Sequence, residues 1–155
     1  MQEPVLSAHD LERRLSVEFP ETFAPDSLLA IKKVWHGGCR VKLNFDASTL
    51  RPGGTISGPT MMMLADVTMY IAVLASIGWE PLAVTTNLNI NFLRKPGGRA
   101  LIAECRLIKL GKQLAVGDVA IRSEGGELMV AHATSTYAIP PSASVLGHGN
   151  ITPKL

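Results

Sequence analysis

The stretch from Ser57 to Gly78 constrains this chain more than any other, because it reads as one long helix that is apolar nearly all round. Ser57 or Gly58 can cap its first turn, and Pro59 suits the first helical position, where its missing N–H costs nothing. Gly78 suits the C-terminal stop. A helix without a polar face is buried on every side, so we expect the rest of the chain to wrap around it.

The length of this stretch is also close to that of a transmembrane helix, so a membrane span is the first alternative. Asp66 interrupts the apolar run, and a carboxylate at mid-bilayer would be expensive. No basic residue directly flanks the run on either side. We therefore interpret the stretch as the buried core helix of a soluble domain.

The composition indicates a globular protein that associates with further copies of itself. Of its 155 residues, 46% are hydrophobic and only 18% charged, so we expect another subunit to cover part of the apolar surface. A net charge of +2 is too small to indicate nucleic-acid or membrane-surface binding. The two cysteines form no spaced motif, and the N-terminus lacks the layout of a signal peptide, so the expected location is cytoplasmic.

Alternation of apolar and polar residues predicts strands on both sides of the long helix. Ser7 and Asp10 form a capping pair that predicts a short first helix ending before Pro20, whereas residues 21–30 are expected to form loop or turn. The predicted strands, separated mostly by glycine-containing turns, are residues 40–46, 87–92, 101–107, 115–122 and 128–139. Short turns imply antiparallel neighbours, so we predict an α+β fold with the sheet wrapped around the helix.

The chain is expected to form a single domain spanning residues 1–155, because its length matches one domain and no internal repeat occurs. Its ordered core should cover about residues 7–139. Residues 140–155, which contain Ser, Gly and Pro, are expected to form a flexible tail.

The motifs of several common catalytic sites are absent from the sequence. The four histidines match no metal-ligand spacing, residues 55–59 do not form a nucleophile elbow, and no phosphate-binding loop or dinucleotide-binding pattern occurs. We therefore expect no metal and no cofactor. What remains is the start of the long helix, whose N–H groups suit an oxyanion, and the Asp66 carboxylate, which suits a base or a nucleophile.

Residues 51–59 (RPGGTISGP), followed by residues 64–66 (LAD), resemble the motif of hotdog-fold acyl-CoA thioesterases of the phenylacetyl-CoA (PaaI) type. That family usually has Asn-Pro-x-Gly-x-x-His-Gly-Gly and then an Asp at a fixed distance on the central helix. Residues 84–93 and 110–112 are similar to the family as well, and the resemblance spans about residues 41–139. It implies the hotdog fold, an antiparallel β-sheet wrapped around a long central helix.

The resemblance implies roles for three catalytic residues. Asp66 falls on the family's catalytic carboxylate, Gly58 on the glycine whose N–H polarises the thioester carbonyl, and Thr85 on a position where some members use Ser or Thr to orient water. Three positions depart from the family motif, since Ser57 replaces His, Arg51 replaces Asn and Pro59 replaces the second Gly. The candidate substrate-binding residues are Ser57, Arg51, Pro59, Met62 and Asn89, with Arg94, Lys95 and Lys112 as candidates for the coenzyme A phosphates.

The leading hypothesis is therefore an acyl-CoA thioesterase that releases a free acid and coenzyme A, in which coenzyme A enters only as part of the substrate. Asp66 would act as base or as nucleophile, and the sequence does not choose between them. A non-catalytic acyl-CoA-binding hotdog module is the alternative, and a hotdog dehydratase is disfavoured because no His lies near the helix motif.

Helix geometry predicts how the site is assembled. Gly58 and Asp66 are eight residues apart, which is about 12 Å along a helix axis, too far for both groups of one helix to serve one carbonyl easily. A two-fold homodimer with antiparallel central helices would bring Gly58 of one chain to Asp66 of the other. The family resemblance implies the same arrangement, often doubled to a homotetramer.

Overall fold

The computed structural model of the chain describes residues 2–141. Most of the predicted flexible tail, residues 142–155, lies outside the described residues. The elements in chain order are α1 (Ala8–Glu18), α2 (Pro20–Phe23), β1 (Leu29–Trp35), β2 (Gly38–Leu43), a 3-10 turn (Ala47–Thr49), β3 (Leu50–Arg51), β4 (Thr55–Ile56), α3 (Gly58–Ile77), β5 (Val84–Phe92), β6 (Leu101–Leu110), β7 (Leu114–Ser123) and β8 (Met129–Ala138).

Six strands form one antiparallel sheet in the order β1-β2-β6-β7-β8-β5, and the short strands β3 and β4 pair with each other beside the start of α3. Alternate residues of the central strands point toward α3 and are fully buried, among them Val41, Ala103, Val119 and Ala133. The core therefore lies between the sheet and one helix. This confirms the predicted α+β architecture with an antiparallel sheet wrapped around α3.

The sequence features at the ends of α3 act as predicted. The Ser57 hydroxyl accepts a hydrogen bond from the Thr60 N–H at 3.3 Å, Pro59 lies in the first turn and Gly78 caps the C-terminus. The helix is long and apolar enough to cross a membrane, yet two thirds of its apolar window is buried in the fold.

One expectation for α3 is wrong, because the helix is not buried on every side. Met62 and Met63 are 40% and 37% exposed, and Asp66 and Tyr70 are half-buried. Met62 and Met63 precede Asp66 by four and three positions, and Tyr70 follows it by four, so these residues form one stripe along the helix. The sheet covers the rest of the helix and leaves this stripe open near β5, one of the two edge strands.

The N-terminal part of the chain is partly as predicted. Helix α1 has the capping box of Ser7 and Asp10 and ends before Pro20, as expected. The prediction of loop for residues 21–30 is wrong at both ends, because α2 reaches Phe23 and β1 begins at Leu29. Strand β1 escapes a period-two search since Lys32 is an extra residue in its pairing with β2, which breaks the alternation.

Candidate active site

The carboxylate of Asp66 lies on the open stripe of α3 and is held by two hydroxyl groups. Its Oδ1 accepts hydrogen bonds from Thr85 Oγ1 at 2.5 Å and from the Tyr137 hydroxyl at 2.9 Å. The Tyr137 hydroxyl also donates to the Asp66 carbonyl oxygen at 3.1 Å. Among residues 2–141, no hydrogen bond reaches Oδ2. One carboxylate oxygen is therefore fixed, and the other is available to a ligand.

Tyr137 is a member of this site that the sequence analysis missed. The residue is only 3% exposed, and burial, together with the charge of Asp66, raises the pKa of its phenol far above the ordinary value. The phenol therefore stays protonated and acts as a donor. A signal existed in the sequence, since Tyr137 follows Ala131, Ala133 and Ser135 on the inward face of β8, and a buried tyrosine hydroxyl needs a partner.

A bulge in β5 aims Thr85 at the helix. Leu88 and Ile90 point inward, opposite Ser135 and Ala133 on β8, and strict alternation would then turn Thr85 outward. Thr86 is an extra residue in this pairing, so Thr85 instead lies opposite Tyr137 and shares its face. The extra residue is what brings the Thr85 hydroxyl to Asp66.

The cavity beside Asp66 has a volume of about 590 Å³ and lies between the N-terminal helices and α3. We call it the aromatic cavity, because four aromatic side chains contribute to its mostly apolar wall. Its lining residues are Leu15, Glu18, Phe19, Thr22, Met63, Asp66, Val67, Tyr70, Trp79, Pro81, Ala83, Val84, Thr85 and Tyr137.

A second cavity of about 490 Å³ lies at the N-terminus of α3, and we call it the basic cavity. Three cations line it, Arg51, Arg94 and Lys95, and one amino group of Arg94 donates to the Met129 carbonyl at 2.7 Å. The other lining residues are Thr55, Ile56, Gly58, Pro59, Met61, Phe92, Leu93 and Pro96. The predicted residues Arg51, Gly58, Pro59, Arg94 and Lys95 are thus brought together, but away from Asp66 of the same chain.

Gly58 offers a backbone donor at the start of α3. The first N–H groups of a helix have no partner within it. Pro59 has no N–H, and the Ser57 hydroxyl takes that of Thr60, so Gly58 supplies the free donor closest to the helix start. A Cβ on Gly58 would lie 3.3 Å from the Phe92 ring, so a side chain here would crowd the same cavity.

Four predicted substrate-binding residues line neither cavity, and one of them, Ser57, caps α3 beside the basic cavity. Met62 is exposed on the open stripe of α3, and Asn89 is exposed on β5. Lys112 lies in the turn between β6 and β7, at the end of the sheet where Thr85 is found. Their roles in binding stay predictions.

Other reactive side chains lie away from the carboxylate. Burial raises the pKa of Cys105 to about 12 and that of Cys39 well above its ordinary value, so both remain neutral thiols in the core. His132 pairs with Asp118 at 3.0 Å on the face of the sheet opposite α3. Within residues 2–141, no group of three or more His, Cys, Asp or Glu side chains could hold a metal ion.

Comparison with known proteins places this geometry in a family. Residues 53–130 match the model of the thioesterase superfamily. The crystal structure of a "putative thioesterase" from a Silicibacter species is 46% identical, covers 90% of this chain and 96% of that chain, and has a TM-score of 0.81. The phenylacetic acid degradation protein PaaI of Thermus thermophilus, in a mutant form, is 25% identical over 72% of this chain and 93% of that chain, with a TM-score of 0.64.

A sequence relative agrees with these matches. A "putative esterase" of Saccharolobus solfataricus is 28% identical over 88% of this chain and 87% of its own length. The matched family segment covers half of the chain and includes all of α3 and β5. The chain therefore belongs to the thioesterase superfamily and has its hotdog fold.

Proposed function

We propose that the protein hydrolyses acyl-CoA thioesters to a free acid and coenzyme A. The observation that carries this proposal is the Asp66 carboxylate, with Oδ1 held by Thr85 and Tyr137 and Oδ2 free beside the aromatic cavity. Membership of the phenylacetyl-CoA (PaaI) type is the finer part of the proposal, and the similarity to the Thermus protein supports it.

The chemistry follows from the groups present. A water oxygen attacks the thioester carbonyl carbon while Asp66 takes the proton, or Asp66 itself attacks and forms an anhydride that water then hydrolyses. In both routes the C–S bond breaks and coenzyme A leaves as the thiol after protonation. The Gly58 N–H and the positive end of the α3 dipole stabilise the negative charge that develops on the carbonyl oxygen.

A two-fold dimer would complete the site. Within one chain, Asp66 contacts Thr85 near the start of β5, and Gly58 lies against Phe92 at its end. Strand β5 is an edge strand of the sheet, so a second copy can pair with it antiparallel. Such pairing exchanges the two ends, bringing the basic cavity of one chain to the aromatic cavity of the other. A dimer of dimers remains part of this proposal.

A thiol-release assay on a panel of acyl-CoA thioesters tests the function directly. We expect coenzyme A to appear in stoichiometric amounts with the free acid, at a rate that depends on Asp66. If acyl-CoA binds in a titration but is not turned over, the protein is the non-catalytic binding module instead.

Removal of the Tyr137 hydroxyl tests how the carboxylate is positioned. A hydrogen bond to a charged group contributes about 1.5–3 kcal/mol, so Tyr137→Phe should lower kcat about tenfold or more, with KM nearly unchanged. Tyr70→Phe is the matched control, because the Tyr70 hydroxyl donates to the Pro81 carbonyl and its ring stacks on Tyr137. Steady-state kinetics of both variants provide the measurement.

Two outcomes would contradict this positioning role. One is an equal loss of kcat in the two tyrosine variants. The other is a further large loss when Tyr137→Phe is added to Asp66→Asn, because a residue that acts through Asp66 has nothing left to position.

The basic cavity should recognise the nucleotide part of the substrate. Lys95→Ala should raise KM for acyl-CoA about three- to tenfold, and it should leave the KM of an N-acetylcysteamine thioester, which lacks the nucleotide, unchanged. Lys112→Ala should act in the same direction if the hairpin end of one chain meets the basic cavity of its partner. Lys109→Ala, which removes an exposed cation from β6, is the control. Equal effects of Lys95→Ala on both substrates would indicate an ordinary solvated charge.

A further inference from the structure

The aromatic cavity has the size and the lining of a site for a small apolar group. Its volume of about 590 Å³ lies within the range of ligand pockets, and its wall is mostly apolar. Phe19, Tyr70, Trp79 and Tyr137 supply ring faces and edges to it, and Met63 supplies a flexible thioether. The Asp66 carboxylate lies in the same wall, so a group bound here is next to the reactive oxygen.

The outer wall of this cavity comes from the N-terminal helices, which precede the segment matched by the family model. Helix α1 is anchored by Leu11 and Leu15, which are 0% and 1% exposed and belong to the core. That anchoring fixes the residues at its C-terminal end, Glu18 and Phe19, against the cavity. The shape and charge of this wall are therefore set by residues outside the matched family segment.

The charged residues that line the aromatic cavity are all acidic. Glu18 and Asp66 both line it, and no Lys or Arg does so among residues 2–141. Glu18 is close enough to Tyr70 that its charge, added to burial, raises the pKa of the Tyr70 phenol. Arg14 lies beside one lining residue, since its guanidinium is 5.2 Å from the centroid of the Trp79 ring, but Arg14 is not part of the lining. A carboxylate on a bound acyl group would therefore meet negative charge in a mostly apolar wall.

The distance from Asp66 to Tyr70 along α3 indicates how long an acyl group the cavity can hold. Tyr70 is one helical turn beyond Asp66, which is about 6 Å along the axis. An extended chain advances about 1.2 Å per bond, so a group of about five or six bonds reaches from the carboxylate to the Tyr70 and Glu18 end. A phenyl ring on a short linker spans a similar distance.

Resting on the thioesterase function proposed above, we propose that the aromatic cavity holds the acyl group of the substrate. We assign it an uncharged, apolar acyl group, and we assign Glu18 as a specificity-determining residue that excludes acyl groups ending in a carboxylate.

The test compares hexanoyl-CoA with hexanedioyl-CoA, which have equal numbers of acyl carbons and differ in the terminal carboxylate. We expect kcat/KM to be about a hundredfold higher for hexanoyl-CoA, because a charged end has to be desolvated in the apolar wall. Glu18→Gln should raise kcat/KM for hexanedioyl-CoA about fivefold and change that for hexanoyl-CoA less than about twofold. Glu21→Gln, which removes a charge from α2 outside this cavity, should change neither value.

Binding separates this proposal from the proposed function. Titration calorimetry of Asp66→Asn protein with both thioesters should give the same order of affinity, whether or not the wild-type protein turns them over. Absent thiol release with intact binding selectivity would overturn the hydrolase function alone. Equal affinity for the two thioesters would overturn the cavity proposal, and so would an unchanged preference in Glu18→Gln protein. A loss of hexanedioyl-CoA binding in Arg14→Gln protein would also overturn it, because Arg14 would then be receiving the carboxylate.

Discussion

Asp66→Asn protein should keep its fold and lose at least about a hundredfold in kcat, the scale of a missing general base or nucleophile. The amide is nearly the same size as the carboxylate, and its oxygen can still accept hydrogen bonds from Thr85 and Tyr137. What it loses is the negative charge and the ability to take a proton from water. Steady-state hydrolysis of an acyl-CoA thioester, with circular dichroism and thermal unfolding as checks on the fold, gives the measurement.

A control variant separates this loss from a general effect of charge removal. Asp26→Asn neutralises an aspartate in the exposed turn between α2 and β1, and it should keep wild-type activity. Wild-type turnover in folded Asp66→Asn protein would remove both catalytic routes at once, because each of them begins at this carboxylate.

Mixed dimers should recover activity that neither parent has. Asp66→Asn chains lack the base, and Gly58→Val chains lack a usable donor, because a β-branched residue before Pro59 disfavours the helical conformation and its Cβ crowds Phe92. If each site takes Gly58 from one chain and Asp66 from the other, a mixed dimer has one intact site and one doubly damaged site.

The size of the recovery is set by statistics. An equal mixture with free exchange contains mixed dimers as about half of all dimers, so activity should rise to about a quarter of that of the wild type. Each variant taken alone through the same exchange procedure is the control, and it should stay inactive. Native mass spectrometry with isotope-labelled chains reports exchange independently. Complete exchange without recovered activity would rule out the shared site.

The elements governed by strong local signals could be predicted from the sequence. The capping box of Ser7 and Asp10 predicted α1, and the cap and stop residues of the long apolar run predicted α3. Clear alternation predicted the later strands, so the layering of sheet on helix followed. Strand β1 was missed since its inward residues, Leu29, Ile31 and Val34, do not keep a spacing of two.

The environment of Asp66 could be predicted only in part. The resemblance pointed to Gly58, Asp66 and Thr85, but which side of β5 carries Thr85 depends on an extra residue that alternation does not reveal. Tyr137 lies 71 positions beyond Asp66, and only the pairing of β5 with β8 brings it near. The open stripe of α3 was hidden because hydrophobicity alone does not distinguish a methionine in the core from one at a cavity or subunit contact.

The extra residue Thr86 divides β5 into two halves that are out of phase. Beyond it, the side chains of Leu88 and Ile90 pack against the core. Before it, the Thr85 side chain points to the Asp66 carboxylate. A deletion of Thr86 would restore one continuous alternation with Thr85 still opposite Tyr137. Loss of the bulge with Thr86 retained would instead put Thr86 opposite Tyr137 and turn the Thr85 hydroxyl away from Asp66. The direction of the Thr85 hydroxyl therefore depends on where β5 accommodates its extra residue, whereas the inward positions of Leu88 and Ile90 do not.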